Sequence, residues 1–161
     1  MLLGILSDTH DELDRTNRAI RLLCDQGAET LIHCGDLSSP PIIKAIAALP
    51  SFFVFGNHDA DNVPTLREAA KQSGAVCLGW GDVVVLGGKR IGVAHGHMTN
   101  DVRQVMSGQP EYLFTGHSHE MSDFQDDTVR RINPGALYRA DAFTVALLNL
   151  DSGSLRFLTV E

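Results

Sequence analysis

Side chains of the kinds that bind metal ions recur in five short segments, each directly after an apolar run typical of a buried strand. The segments read SDTHD, CGDLS, GNHDAD, HGH and GHSH, and together they hold six of the chain's seven histidines. In open α/β sheets, ligands bind just beyond the carboxyl ends of the strands. The pattern therefore predicts one shared metal site. Its candidate ligands are Asp8, His10, Asp36, Asn57, His95, His117 and His119.

The mixture of imidazole and carboxylate ligands suits borderline divalent metals such as zinc, manganese or iron. No cysteine is among the candidates, which disfavours a closed structural zinc site. Seven ligands match the needs of two ions about 3.5–4 Å apart that share one bridging ligand. Two such ions, two aspartates and a bridging hydroxide leave a charge of about +1, which attracts a phosphate.

Each segment taken alone also has a purely structural explanation. Thr9 and Glu12 fit a capping box that starts a helix, a role compatible with metal binding nearby. The GD and GNHD segments fit ordinary turns, and a single HxH pattern is often incidental. Five independent structural explanations that all put metal-ligand residue types at strand ends are improbable together. The metal-site interpretation is therefore favoured.

The elements that must position these residues alternate between strand and helix in the first half of the chain. Strands are predicted at Leu2–Leu6, Thr30–His33 and the SFFVF segment, with helices ending near Gly27 and opening at Pro40 and Pro64. The second half predicts strands in VCL, DVVVLGGKRIGVAH, EYLFTG, DFQDDTVRRIN and FTVALLNLDSGSLRFLTV, with tight turns between several of them and a short helix from about residue 99.

This order of elements predicts an α/β fold class, namely a two-sheet β-sandwich flanked by helices (αββα). Parallel βαβ units are expected in the N-terminal half and mostly antiparallel strands in the C-terminal half. A length of 161 residues is enough to bury a sizeable core, and residues 1–161 are expected to form one domain.

Composition narrows the range of partners and compartments. The net charge of −7 argues against stable binding to nucleic acid or to an anionic membrane. No apolar run approaches the roughly 18–20 residues of a membrane span, and the first residues lack the basic region of a signal peptide. Three widely spaced cysteines, Cys24, Cys34 and Cys77, are interpreted as buried thiols in a reducing cytoplasm. The sequence leaves homo-oligomer formation open.

In this order and at these spacings, DTH, GD, GNHD, HGH and GHSH resemble the calcineurin-like metallophosphoesterase superfamily. The short length and the INPGALYR segment resemble its small bacterial and archaeal phosphodiesterase branch, which also includes the eukaryotic retromer scaffold subunit. The resemblance runs over essentially the whole chain and implies the same two-sheet sandwich. It also implies two metal sites that share Asp36 as a bridge. One would consist of Asp8, His10, Asp36 and His119, and the other of Asp36, Asn57, His95 and His117.

The resemblance gives His58 a catalytic role near the leaving group, where an imidazolium stabilises or protonates the departing oxygen. Many larger relatives have an aspartate three residues after the bridging aspartate, and it orients this histidine. Here that position is Ser39, so the partner that orients His58 is an open question.

Four other segments have simpler expectations. His97 is expected to be a solvated loop histidine, with a contact at the pocket edge as the alternative. His33 is expected to be a hydrogen-bonded strand residue, and Asn133-Pro134-Gly135 a tight turn. Arg139 is expected either to contact phosphate or to form a surface salt bridge.

The leading hypothesis is a dinuclear-metal phosphodiesterase for a small phosphoester substrate, in which a metal-bridging hydroxide attacks phosphorus. Mn²⁺ is the expected ion, with Zn²⁺, Fe²⁺ or Ni²⁺ as alternatives. One alternative is a metal-poor protein-interaction scaffold, and another is a phosphomonoesterase on the same core. The complete ligand set and the presence of His58 favour an enzyme over a scaffold.

Overall fold

Two sheets and four α-helices make up the fold, and the computed structural model describes all 161 residues. The strands are β1 (Leu2–Leu6), β2 (Thr30–His33), β3 (Ser51–Phe53), β4 (Val76–Cys77), β5 (Gly81–Leu86), β6 (Lys89–Ala94), β7 (Tyr112–Phe114), β8 (Met121–Asp126), β9 (Val129–Pro134), β10 (Thr144–Asn149) and β11 (Leu155–Thr159). The helices are α1 (Leu13–Asp25), α2 (Pro40–Ile46), α3 (Val63–Ser73) and α4 (Thr99–Ser107), and a 3-10 helix spans Asn57–Asn62.

The first sheet has the strand order β11-β10-β1-β2-β3-β4. Its strands β1 to β4 are parallel, as expected for strands connected through helices α1, α2 and α3. Strand β10 comes from the end of the chain and pairs antiparallel with β1, so that Leu3 lies opposite Leu148. The carboxyl ends of β1, β2 and β3 therefore lie at one edge of this sheet.

The second sheet has the order β5-β6-β7-β9-β8. Strands β6, β7 and β9 are parallel, while β5 and β8 pair antiparallel with their neighbours through hairpins. Helix α4 makes the crossover between β6 and β7, so this half of the chain contains a parallel unit as well. The predicted αββα sandwich is confirmed.

Alternation along the strands creates separate apolar layers. Leu3, Ile5 and Ile32 of the first sheet share a buried cluster with Val93 and Phe114 of the second sheet, which is the layer between the sheets. Leu6 and Leu31 belong to a larger cluster with residues of α1, α2 and α3. A small third cluster packs Val105 of α4 against the second sheet. No helix is long and apolar enough to cross a membrane.

Two expectations at the level of single residues are wrong. The Thr9–Glu12 capping box does not form, because Glu12 caps α1 without a side-chain bond and the Thr9 hydroxyl lies 3.1 Å from His33 Nε2 instead. Cys24 is exposed and Cys77 only partly buried, so Cys34 is the one buried thiol. Strand β9 ends at Pro134, which still pairs with β8, and the expected turn follows there, with Gly135 N–H donating to Asn133 Oδ1 over 3.0 Å.

Candidate metal centre

The five polar segments follow β1, β2, β3, β6 and β7, and the backbone brings them together. Asp8 N–H donates to Gly35 O over 3.0 Å, and His10 N–H donates to Asp36 O over the same distance. In the second sheet, Gly116 N–H donates to His95 O, also over 3.0 Å. These bonds tie the loops within each sheet, and His117 N–H, which donates to Asp8 Oδ2 over 3.0 Å, joins the loops of the two sheets.

Most of the predicted ligands have a backbone conformation that residues other than glycine rarely adopt. Positive φ angles of 41° to 69° occur at five of the seven, namely Asp8, His10, Asp36, His117 and His119. Each such conformation costs about 1–3 kcal/mol and persists only where the surrounding structure holds it. Strain of this kind clusters at functional sites, which agrees with a site at these loops.

Asp8, His10 and His119 form the first cluster. His119 Nε2 lies 3.2 Å and His10 Nε2 3.9 Å from Asp8 Oδ1. His119 Nδ1 donates to the carbonyl oxygen of Arg139 over 3.2 Å, which leaves the Nε2 lone pair facing Asp8. Asp8 Oδ2 accepts bonds from the Ser7 hydroxyl (2.6 Å) and from His117 N–H (3.0 Å), so Oδ1 alone faces the histidines.

Asp36 and His95 form the centre of the second cluster. Asp36 Oδ2 lies 3.3 Å from both His10 Nε2 and His95 Nε2, while Oδ1 accepts the main-chain N–H of His58 over 2.9 Å. His95 Nδ1 donates to Cys34 O over 2.8 Å, so its Nε2 lone pair points at Asp36 and at Asn57 Oδ1, 3.1 Å away. Asp36 therefore lies between the two clusters, within 3.3 Å of a histidine of each.

A divalent cation fits the arrangement of these atoms. Asp8 Oδ1 and His10 Nε2 are both buried, and neither has a hydrogen-bond partner within the chain. An unsatisfied buried polar atom costs about 1–3 kcal/mol. Carboxylate oxygens and imidazole lone pairs that face one another repel, and a cation between them turns the repulsion into attraction. The residues present are thus a suitable donor set for divalent ions.

The electrostatics of the site favour charged carboxylates. Burial alone would raise the pKa of Asp36, but the adjacent imidazoles of His10 and His95, when they carry a proton, hold it well below its ordinary value. Burial lowers the pKa of His95, yet the nearby Asp36 and Asp8 outweigh that effect and leave it raised. The pocket therefore attracts positive charge, whether a proton or a metal ion.

His33 lies beneath the site as a neutral hydrogen-bonded residue. Burial, assisted by the charge of His95, lowers its pKa to about 3. Gly35 N–H donates to His33 Nδ1 over 3.2 Å, so Nε2 carries the proton and faces the Thr9 hydroxyl. The expectation of a hydrogen-bonded strand histidine is confirmed.

The remaining histidines lie around the two clusters. A nitrogen of the exposed His58 ring is within 4.8 Å of ligand atoms of His10 and Asp36, and the ring makes an edge contact with His10 at 4.8 Å between centroids. The exposed His117 ring lies 5.2 Å from that of His95, outside the groups whose ligand atoms converge within 4.8 Å. His97 is partly buried between Trp80 and His95, with Nδ1 buried and unpartnered, so the solvated-loop expectation is wrong.

Ser39 does not take over the orientation of His58. Its hydroxyl donates to the carboxylate of Asp11. What fixes His58 is its own main-chain bond to Asp36 and the contact of its ring with His10.

Comparison with known proteins finds that the chain is similar to phosphoesterases. The model of the calcineurin-like phosphoesterase superfamily domain matches residues 1–153. The chain belongs to that superfamily. It is 30% identical over 167 aligned positions to a phosphodiesterase of Methanocaldococcus jannaschii, an alignment that covers 100% of both chains. The resemblance seen in the sequence motifs is confirmed, and the protein is a metal-dependent phosphoric ester hydrolase.

Solved structures agree with this family assignment. The structure of an archaeal phosphodiesterase superimposes with a TM-score of 0.89 at 29% identity, covering 99% of this chain and 100% of that one. Vps29 of Entamoeba histolytica, solved in complex with zinc, has a TM-score of 0.61 at 18% identity, covering 99% and 98%. The second likeness shows a shared fold alone.

Asp59, the last residue of the phosphoesterase's GNHD segment, was missed as a functional residue. It is fully buried, and its carboxylate accepts four main-chain N–H groups from two loops. The donors are Asp36 (2.9 Å), Leu37 (3.3 Å), Ser38 (2.7 Å) and Gly56 (2.8 Å). Burial raises the pKa of Asp59, and the backbone donors oppose that shift. This one side chain therefore fixes the loop that carries Asp36.

Asn133 does the same for the GHSH loop of the phosphoesterase. Its side-chain N–H₂ donates to Gly116 O (2.9 Å) and to the Ser118 hydroxyl (3.1 Å), while its Oδ1 accepts Gly135 N–H (3.0 Å). Gly116 must be a glycine, because a Cβ there would overlap Ser7 and the Asp8 carboxylate. The signal for Asn133 in the sequence was the INPG segment, which composition alone assigns to a turn.

An open cavity of about 380 Å³ lies directly over the first cluster of the phosphoesterase. Its lining consists of His10, Ser38, His58, His119, Tyr138 and Arg139. The Tyr138 ring stacks on His10 at 4.6 Å between centroids, which fixes one wall. A phosphoester in this cavity would touch both the candidate metal ligands and His58.

Proposed function

We propose that the protein is a dinuclear-metal phosphodiesterase. One ion is held by Asp8, His10, Asp36 and His119, and the other by Asp36, Asn57, His95 and His117. Asp36 bridges the two ions. Mn²⁺ is the expected metal, with Zn²⁺, Fe²⁺ or Ni²⁺ as alternatives that the same ligand types accept.

One observation carries this proposal. Asp8 Oδ1 and His10 Nε2 are buried without partners, and the free Nε2 atoms of His95 and His119 are aimed at the same two carboxylates. Buried polar groups are normally satisfied by a partner, and a bound cation would satisfy this set. The position of Asp36, 3.3 Å from a histidine of each proposed site, supports the bridging role.

Bound divalent ions supply Lewis acidity toward the phosphoryl oxygens and a lowered pKa for water. The chain's own residues supply the rest. His95 and His119 are locked by bonds from Nδ1 to main-chain oxygens, which keeps their Nε2 atoms available as ligands. His58 lines the cavity over the site and is exposed there, so it can give a proton to the leaving-group oxygen.

Activity toward phosphodiesters is favoured over phosphomonoesters by the open shape of the site. The cavity above His10 continues past Arg139 instead of closing around one phosphate, which leaves room for a second ester substituent. The relative from Methanocaldococcus jannaschii is described as a phosphodiesterase. A purely scaffolding role would need no convergent unpartnered ligands.

Metal stoichiometry and turnover measured together test the proposal. Purified protein is stripped with chelator, dialysed against Mn²⁺, Zn²⁺, Fe²⁺ or Ni²⁺, and analysed for bound metal. Activity is then measured on bis(p-nitrophenyl) phosphate and on p-nitrophenyl phosphate. We expect two ions per chain and a higher kcat/KM for the diester, with Asp8→Ala losing both metal and activity.

The matched control is Asp61→Asn, since Asp61 is an exposed carboxylate in the 3-10 helix next to the site. It should bind metal and turn over like the wild type. A wild-type chain that retains almost none of the four metals would instead support the scaffold. Two bound metals with a preference for the monoester would support a phosphomonoesterase.

A further inference from the structure

A second cavity adjoins the one over the metal centre. It measures about 430 Å³, within the range of small-molecule sites. The two cavities share His119 and Arg139, so they form one continuous groove that passes over these two residues. The far part is lined by Ser118, Glu120, Met121, Ala140, Asp141, Ala142 and Thr144.

Arg139 is the only lysine or arginine that lines either cavity. Its guanidinium lies 5.0 Å from the centre of the Tyr138 ring. Arg139 forms no ion pair, unlike Arg15, Arg130 and Arg131. Its backbone has a positive φ of 45°, and its carbonyl oxygen accepts the bond from His119 Nδ1. The Arg139 side chain is thus exposed and has no carboxylate partner, and its backbone is hydrogen-bonded to the candidate metal ligand His119.

The far part of the groove has the opposite charge. Glu120 and Asp141 line it and are both exposed, and no second cation offsets them. The rest of the lining is uncharged, with the Ser118 and Thr144 hydroxyls beside Met121 and two alanines. An anionic group placed there would be repelled, while a neutral group with hydroxyl or amino donors would find acceptors.

We propose that Arg139 binds the phosphoryl group and that the second cavity holds the retained substituent of a phosphodiester. That substituent is an uncharged polar group such as a nucleoside, and the groove discriminates against substituents that carry a further phosphate. This inference rests on the proposed phosphodiesterase function. His58 lines the first cavity only. The leaving group therefore lies in the first cavity, next to His58, and the retained group lies beyond Arg139 in the second cavity.

Substrates with one common leaving group test the inference. Thymidine 5′-(p-nitrophenyl phosphate) and its 3′-phosphorylated derivative both release p-nitrophenolate and differ only in charge on the retained nucleoside. We expect the neutral nucleoside to have a kcat/KM about tenfold higher. The double variant Glu120→Gln/Asp141→Asn should reduce this ratio to about threefold or less.

Arg139→Ala should lower kcat/KM for both esters by about 10- to 100-fold, the worth of a charge-assisted hydrogen bond to phosphate. Arg139→Lys should recover part of that loss, because lysine restores the positive charge but cannot form the bidentate hydrogen bonds of arginine. The control is Arg90→Ala, since Arg90 is exposed near the start of β6, at the opposite end of the strand from His95. Its kinetics should equal those of the wild type.

Binding without turnover provides an independent measurement. Calorimetric titration with thymidine 5′-phosphate and with thymidine 3′,5′-bisphosphate should show weaker binding of the bisphosphate to the wild type and a smaller difference in the double variant. Equal or better use of the 3′-phosphorylated ester, an unchanged ratio in the double variant, or an Arg139→Ala enzyme with wild-type kinetics would overturn the inference. If the wild type hydrolyses no ester, the proposed function fails and the binding comparison alone decides this inference.

Discussion

Replacement of Asp59 tests whether a buried carboxylate, not itself a metal ligand, holds the candidate site in shape. Asp59 Oδ2 accepts N–H groups of Asp36, Leu37 and Gly56, and Oδ1 accepts that of Ser38. The side chain is fully buried, so water cannot take over these bonds. Changes at this position should therefore affect both stability and metal binding.

The expected magnitude follows from the number of donors. In Asp59→Asn the amide oxygen can keep the three bonds at the Oδ2 position, but the NH₂ group then faces the Ser38 N–H. One lost bond to a charged acceptor costs about 1.5–3 kcal/mol, and the three others weaken because their acceptor loses its charge. We expect a loss of about 3–5 kcal/mol in the free energy of unfolding. Asp59→Ala leaves all four donors without an acceptor and should cost about 5 kcal/mol or more.

Urea unfolding followed by circular dichroism at neutral pH, in chelator and again in Mn²⁺, gives the free energies. Metal affinity of the folded Asp59→Asn protein should fall by about 10- to 100-fold, because the loop that carries Asp36 loses its anchor. Asp61→Asn, an exposed neighbour, should stay within about 0.5 kcal/mol of the wild type. An Asp59→Asn protein within 1 kcal/mol of the wild type and with unchanged metal affinity would refute the reasoning.

Three further outcomes are expected. Asp36→Asn should keep the fold but lose both metals and at least about 100-fold in kcat, and two tightly bound ions with near-normal turnover would contradict the bridging role. His58→Ala should retain two metals, and its kcat should fall by about 10²–10⁴-fold on an alkyl diester and less on a nitrophenyl ester. The pKa of His33 is lowered to about 3, so below about pH 6.5 the unfolded chain binds a proton that the folded chain refuses. From pH 7 to pH 5 the wild type should lose about 2 kcal/mol more in free energy of unfolding than His33→Gln, as measured by urea titration.

Much of the fold is visible in the sequence because local signals and long-range packing agree. Helix α2 begins at Pro40, where proline suits the first turn, and β2 has the predicted bounds Thr30–His33. Strand β3 ends at Phe53, earlier than the apolar run suggests, because Phe53 pairs with the last residue of both neighbouring strands, His33 of β2 and Cys77 of β4. The insertion of β10 between β1 and β11 has no local signal, since it depends on pairing between opposite ends of the chain.

Some features of the candidate site are likewise visible in the sequence, and others are not. The types and order of the ligand residues are visible because metal chemistry needs particular side chains. The roles of Asp59 and Asn133 are hidden because these side chains bond to main-chain groups, and every residue offers such groups. Positive φ at aspartates and histidines is equally invisible, since these residue types do not require it.

The strained ligand loops and the two hidden residues are parts of one physical arrangement. A loop that holds Asp36 or His119 at positive φ would relax if it were free. Relaxation would move Asp36 Oδ2 away from His10 Nε2 and His95 Nε2, each now 3.3 Å away, or His119 Nε2 away from Asp8 Oδ1, now 3.2 Å away. Asp59 and Asn133 prevent this by consuming main-chain donors and acceptors that a relaxed loop would give to water. Ligand types alone therefore do not define a metal centre in this fold, because the donors stay together only while these buried polar side chains hold their loops.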